Sequence, residues 1–102
     1  MVTVGLYYDV LPGEGLAFQA KFEAVVDALR GASGHSSSFL YRRVDDPDSY
    51  AIISEWADAE TFQTFIRSET FRSVVAWGRA NVLRNPPRHK IYPRSEDVGR
   101  PG

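Results

Sequence analysis

Apolar and polar positions alternate cleanly at the start of the chain. Val2, Val4, Leu6, Tyr8 and Val10 fall on one side, and Thr3, Gly5, Tyr7 and Asp9 on the other, the period-2 signature of a half-buried strand. The run Leu11-Pro12-Gly13-Glu14-Gly15 is a turn, and beyond it the period changes. Phe18, Phe22, Val25, Val26 and Leu29 recur at three- and four-residue intervals, with Gln19, Lys21, Glu23 and Asp27 between them; this predicts an amphipathic helix that Gly31 ends. Gly34 to Val44 reads as a second, more polar strand, whose serines and arginines suit a sheet edge. After the Asp45-Asp46-Pro47-Asp48 turn, Ser49 to Trp56 forms the most apolar strand.

That third strand runs into Ser54-Glu55-Trp56-Ala57-Asp58-Ala59-Glu60. Asp58 can cap a helix through its carboxylate, and Glu60 then lies in the first turn, where negative charge is favoured. Ser68 can cap a second helical segment in the same way, with Glu69 just inside it. The predicted segments cover 59–66 and 69–84, with Phe62, Phe65, Ile66, Phe71, Val74, Val75 and Val82 as their buried set. Asn85-Pro86-Pro87 stops the helix, 88–92 makes a short last strand, and 94–102 is expected to be a flexible tail after a domain spanning 1–93.

The order β-α-β-β-α-β is the split arrangement of ferredoxin-like α+β domains: a four-stranded antiparallel sheet with its helices on one face. Strands one and three belong in the middle, in keeping with their greater apolarity. The other face then carries Tyr7 and Ile53, with Phe39 and Tyr41 beside them. An exposed aromatic patch of that kind predicts a homodimer packed through its sheet faces.

Composition narrows the possibilities. With 102 residues, 43% hydrophobic and 13% aromatic, the chain is expected to fold as a globule. Twelve basic and thirteen acidic residues leave a net charge of −1, which argues against nucleic acid as a partner. No apolar run approaches the roughly 18 residues of a membrane span, and Met1-Val2-Thr3-Val4 lacks the basic start of a signal peptide. The absence of cysteine fits a cytoplasmic location. Two histidines far apart in sequence make no metal site, and none is expected.

Candidate chemistry centres on the third strand. Tyr50, Ile52, Ser54 and Trp56 share one face, as do Leu6 and Tyr8 on the first strand. If that face meets the helices, Tyr8, Tyr50, Ser54 and Trp56 are polar handles in a pocket otherwise lined by Ile52, Phe62, Phe65 and Phe71. Trp56 can stack on a planar substrate or plug the junction of sheet and helices. His35 is a candidate general base at the pocket mouth or a solvated loop residue. His89 reads as a surface residue. No Ser-His-Asp or Cys-His arrangement is readable, and Gly13 and Gly15 lack the lysine of a phosphate loop.

With that order of elements in hand, further residues carry a resemblance: Leu11-Pro12-Gly13 before the first helix, Gly34 opening strand two, Asp46-Pro47 before strand three, Ser54-Glu55-Trp56, and Phe62-x-x-Phe65-x-x-Ser68-x-x-Phe71. Over residues 2–93 the chain resembles the antibiotic biosynthesis monooxygenase family of dimeric α+β barrels. The resemblance implies a cofactor-independent monooxygenase that acts with O₂ on a small planar quinol- or phenol-like aromatic, with the substrate itself supplying the electrons. In the cofactor-free members a strand-three Trp corresponds to Trp56, an Asn four residues earlier corresponds to Ile52, and an aromatic hydroxyl six residues later corresponds to Phe62. Two of three polar positions are thus apolar here. The haem-degrading members place an Asn on strand one, a Trp in the short helix and a His on the last helix, where this chain has Leu6 or a neighbour, Phe65 and Val75. The resemblance therefore also leaves open a non-catalytic hydrophobic-ligand or stress-response protein, or a haem-binding one.

Overall fold

The computed structural model describes residues 1–93; the tail expected at 94–102 lies outside the described residues. Seven elements follow in the order β1 (Val2–Asp9), α1 (Gly15–Arg30), β2 (His35–Arg42), β3 (Ser49–Trp56), α2 (Ala59–Ile66), α3 (Glu69–Asn81) and β4 (Arg88–Pro93). The strands form one antiparallel sheet in the order β2-β3-β1-β4. This is the ferredoxin-like α+β fold, with its second helical layer split into α2 and α3. The two most apolar strands are central, as their sequences require.

The β1–β3 register runs from Val2 opposite Trp56 to Asp9 opposite Ser49, and β1 pairs with β4 from Val2 opposite Pro93 to Tyr7 opposite Arg88. Directly opposite residues share a face. Val4, Leu6 and Tyr8 therefore point with Ser54, Ile52 and Tyr50 into the layer covered by the helices, and all six are buried. α1 contributes Phe18, Val25 and Leu29 to this core, α2 contributes Phe62 and Phe65, and the segment after α3 contributes Val82 and Leu83. Ile66, Phe71, Val74 and Val75, expected in the buried set, pack against the core from half-buried positions.

Both predicted caps form. The Asp58 carboxylate accepts the Thr61 N–H at 2.8 Å, and Ser68 Oγ accepts the Phe71 N–H at 3.2 Å. Each satisfies one of the backbone donors that a helix leaves open at its start. Together they turn the chain twice and hold the short α2 across the end of β3.

Two boundaries differ from the sequence expectation by more than one residue. Strand two ends at Arg42 rather than Val44, because the Arg43 guanidinium clamps Asp45 at 2.9 and 2.7 Å and draws the chain into the turn. α3 ends at Asn81 rather than 84. The N–H groups of Val82 and Leu83 both reach the Gly78 carbonyl at 2.9 Å, while the Val82 carbonyl accepts the Leu11 N–H at 2.7 Å. The chain leaves the helix to dock on the end of β1, and Gly78 allows this approach: a Cβ there would stand 3.2 Å from the Leu83 side chain.

Gly13 and Gly34 both have positive φ, at 87° and 84°. A side chain in that region costs about 1–2 kcal/mol. Gly34 carries a second constraint, since a Cβ there would lie 2.6 Å from Thr61 Oγ1, whereas nothing surrounds Gly13. Gly34→Ala should therefore lose more stability than Gly13→Ala, by about 1 kcal/mol or more. Urea unfolding of the two variants checks this, and equal losses would mean that the β2 start does not press on α2.

Candidate functional site

Trp56 is the hub of an aromatic cluster at one end of the helix-covered face. Its ring lies 5.2 Å from His35, 5.6 Å from Phe62 and 5.5 Å from Phe65, mostly edge to face. The cluster continues from Phe65 to Phe71 at 5.3 Å and from Phe62 to His89 at 5.5 Å. Edge-to-face pairs of this kind each add about 0.5–1.5 kcal/mol beyond the area they bury. Trp56 and Phe62 are both 0% exposed.

The sequence-level candidates His35 and Trp56 are thus neighbours. A β-bulge between His35 and Ser37 shifts the register so that His35 opposes Trp56 and Ser38 opposes Ser54. Residues three apart on a regular strand lie on opposite faces; the extra residue brings His35 and Ser38 to the same one. Their side chains meet at 2.8 Å, Nε2 to Oγ. Burial pushes the His35 imidazole below its ordinary pKa, partly opposed by the Ser37 backbone. His35 is accordingly a neutral ring at pH 7, held in place by Ser38 and packed on Trp56.

Two buried polar atoms in this region have no hydrogen-bond partner among the described residues: the Trp56 indole nitrogen and Ser54 Oγ. They sit two residues apart on one face of β3. Leaving a buried donor unpaired costs about 1–3 kcal/mol.

At the other end of the same face, Tyr8, Phe18 and Tyr50 form a second aromatic group, with ring separations of 5.1 and 4.9 Å. Gln19 donates to the Tyr50 hydroxyl at 3.1 Å, and burial pushes the Tyr8 phenol far above its ordinary pKa. Tyr8 is therefore not poised to ionise near neutral pH. Beyond them, Asp9 collects Ser49 at 3.1 Å, Asn85 at 3.2 Å and Arg88 at 3.4 Å. These partners, Asn85 foremost, hold its carboxyl below the ordinary value. The cluster staples the ends of β1, β3 and the α3–β4 connection together.

The candidate residues are distributed over several spaces. Tyr8 and Ile52 line a core cavity of about 30 Å³ beneath α1 and α3, whose walls are almost wholly apolar. That volume is close to one water, and an apolar void of this kind stays dry. Phe71 lines a separate groove of about 250 Å³ between α3 and β4. Phe65 borders an open depression of about 500 Å³ beside the α1–β2 loop, and Tyr50 borders a cleft of about 320 Å³ at the sheet end. Ser54, Trp56, Phe62 and His35 line none of these.

The α3–β4 groove is the space that combines an apolar floor with reactive side chains. Leu6, Ile66, Phe71 and Val75 form its floor, and Pro86 and Pro87 one lip. Arg79 and His89 supply a cation and an imidazole. Val75 also lines the core cavity, so a single side chain separates the two spaces. His89 is exposed, as the sequence expectation of a surface residue requires, and its pairing opposite Leu6 sets it on the helix-covered side of β4 at the groove edge. The signal that places it there is the alternation of His89 and Ile91 against Arg88, Lys90 and Tyr92. Among the described residues, no group of three His, Cys, Asp or Glu side chains has the geometry of a metal site.

The opposite face of the sheet is aromatic. The Tyr7 ring lies over Gly5, where a Cβ would collide with it, and its hydroxyl meets that of Tyr92 at 2.8 Å. Phe39 and Tyr41 are 59% and 54% exposed. No helix of the described chain is long and apolar enough to cross a membrane.

Known proteins agree with this architecture. The family model for antibiotic biosynthesis monooxygenase matches residues 1–77. A protein of Halobacterium salinarum named "Putative heme-binding protein" is 36% identical over 87 residues, which is 85% of this chain. The chain spans only 18% of the length of that relative. Among solved structures, a conserved protein of Methanosarcina mazei superposes with a TM-score of 0.81 at 18% identity, covering 92% of each chain. SnoaB, a cofactor-independent oxygenase from Streptomyces nogalater, superposes with a TM-score of 0.79 at 21% identity, again over 92% of each chain. At these identities the structural likeness concerns the fold.

Proposed function

The chain belongs to the antibiotic biosynthesis monooxygenase family, and on that premise we propose that it binds a small planar aromatic in the α3–β4 groove and oxygenates it without a cofactor. The groove itself is the observation that carries this reading: an apolar floor of Leu6, Ile66, Phe71 and Val75 with Arg79 and His89 at its edge. An apolar slot favours a flat ring, and a nearby guanidinium favours the anion of a phenol or quinol. His89 is placed to take the proton that forms that anion. The reduced ring then gives its electrons to O₂. One oxygen atom enters the ring, and the other leaves as water with the two hydrogens lost, so that a quinol and O₂ give a hydroxyquinone and water. Trp56 packs behind Phe62, outside the groove's lining, and His35 packs on Trp56 from β2.

Oxygen uptake with a panel of one-ring quinols tests the reading. The protein should raise uptake above the no-protein rate, and His89→Ala should lower the increment by about 10²-fold or more. Uptake equal to the background across the panel would remove the enzymatic reading. An undiminished His89→Ala variant would remove the groove from it.

A second reading, haem binding, is favoured by the same histidine and by the name of the haloarchaeal relative. The position that corresponds to the iron ligand of the haem-degrading members is Val75, which has no donor atom. His89 is the groove's imidazole, and Arg79 is a partner for a propionate. The groove lies below the roughly 300–1,000 Å³ typical of small-molecule pockets, so a macrocycle would project past the Pro86-Pro87 lip. On this reading haemin should give a Soret shift that His89→Ala abolishes and His35→Ala preserves. A spectrum that stays that of free haemin would close the idea.

The exposed sheet face supports a homodimer. Phe39, Tyr41, Tyr7 and Tyr92 present an aromatic surface that a second copy would cover by a two-fold contact. Sedimentation should show a dimer, and Phe39→Glu should weaken it by about tenfold or more. A wild-type chain that sediments as a monomer at high micromolar concentration would overturn the assembly.

A further inference from the structure

We infer that Phe62 is a partition that sets the length of the aromatic ligand, restricting the groove to one ring and closing it off from two waiting hydrogen-bond donors. The argument starts from the register. On the helix-covered face, His89, Leu6 and Ile52 form one row across β4, β1 and β3; Ile91, Val4 and Ser54 form the next; Val2 and Trp56 belong to the third. Successive rows are two residues apart along the strands, about 7 Å.

The groove ends at the first row, on Leu6 and His89. The Phe62 ring touches His89 of the first row at 5.5 Å and Trp56 of the third at 5.6 Å. A ring in contact with both bridges the middle row, where Ser54 stands. It is fully buried, so nothing but its own volume occupies that position. Beyond it lie Ser54 Oγ and the Trp56 indole N–H, both buried and both without a partner among the described residues. A ligand one row longer would reach them with an oxygen atom. In this chain the Phe62 side chain takes that space instead.

The inference rests on the groove being the ligand site. It is tested by anaerobic equilibrium binding of phenol, 1-naphthol and 1-anthrol to the wild-type chain and to Phe62→Val and Phe62→Ala. Wild type should prefer phenol to 1-anthrol by about tenfold or more, since a filled row rejects extra ring atoms. Phe62→Val should reverse that order, and Phe62→Ala should do so more strongly. Adding Ser54→Ala to Phe62→Val should weaken 1-anthrol several-fold and leave phenol unchanged. Phe62→Val is the milder truncation and guards against loss of folding in Phe62→Ala; near-ultraviolet circular dichroism checks both. A folded Phe62→Val with the wild-type order of affinities overturns the partition, as does a wild type that binds all three equally. Failure of the wild type to bind any of them would instead remove the groove reading beneath it.

Discussion

The antiparallel pairing of β1 with β3 is the constraint on which the rest of the molecule depends. Its register, Val2 to Trp56 through Asp9 to Ser49, decides which side chains face the helices. A slip of β3 by one residue would turn Ile52, Ser54 and Trp56 to the outside and bring Ile53 and Glu55 within. The chain guards against this at both ends. Thr3 donates to the Glu55 carboxylate at 2.7 Å on the open face, and Ser49 bridges Asp9 and Asp46 at 3.1 and 3.0 Å where the strands finish. With that register fixed, Trp56 must lie under α2 and Tyr8 under α1.

The same register explains why the interior divides into separate spaces. Its two aromatic groups, around Trp56 and around Tyr8, Phe18 and Tyr50, lie at opposite ends of the covered face. Between them stand aliphatic side chains, Leu6, Ile52 and Val75. Aliphatic residues close up more readily than rigid rings, and the void left among them is only about 30 Å³. The open groove survives at β4 because that strand is an edge and the Pro86-Pro87 segment feeding it cannot fold back as helix.

Much of this was legible in the sequence. Periods of two and of three to four residues gave every element, and the caps at Asp58 and Ser68 form where their chemistry placed them. Missing from the sequence reading were features that depend on pairing partners. The bulge that lets His35 meet Ser38 is invisible in a run of three serines, any of which could be the extra residue. The early end of α3 follows from carbonyl and amide groups of β1, sixty or more residues away. The site was legible as a set of faces but not as a shape. Alternation put Tyr8, Ile52, Ser54 and Trp56 on one side, yet which of them borders space depends on how helices settle over them. His89 is a surface residue, as its charged neighbours suggest, and its alternation with Ile91 is what sets it at the groove rather than on the open face.

The apolar residues at positions 52 and 62 and the two orphaned donors belong to one energetic account. An unpaired Trp56 N–H and Ser54 hydroxyl together cost on the order of 2–6 kcal/mol. Three ring contacts around Trp56 return a comparable amount beyond simple burial, so the cluster holds without a ligand. A polar side chain at 52 or 62 would ease the orphaned donors but would itself need burial and partners. The chain instead keeps this interior dry and sets the groove's polar side chains, Arg79, Arg88 and His89, at its exposed edge. On the proposed reading, binding strength comes from the groove's floor, and Trp56 acts through its packing on Phe62. That division of labour separates a stable interior from an adaptable edge. The proposed proton-handling residue, His89, accordingly stands on β4, away from the strand that carries the family's most recognisable sequence.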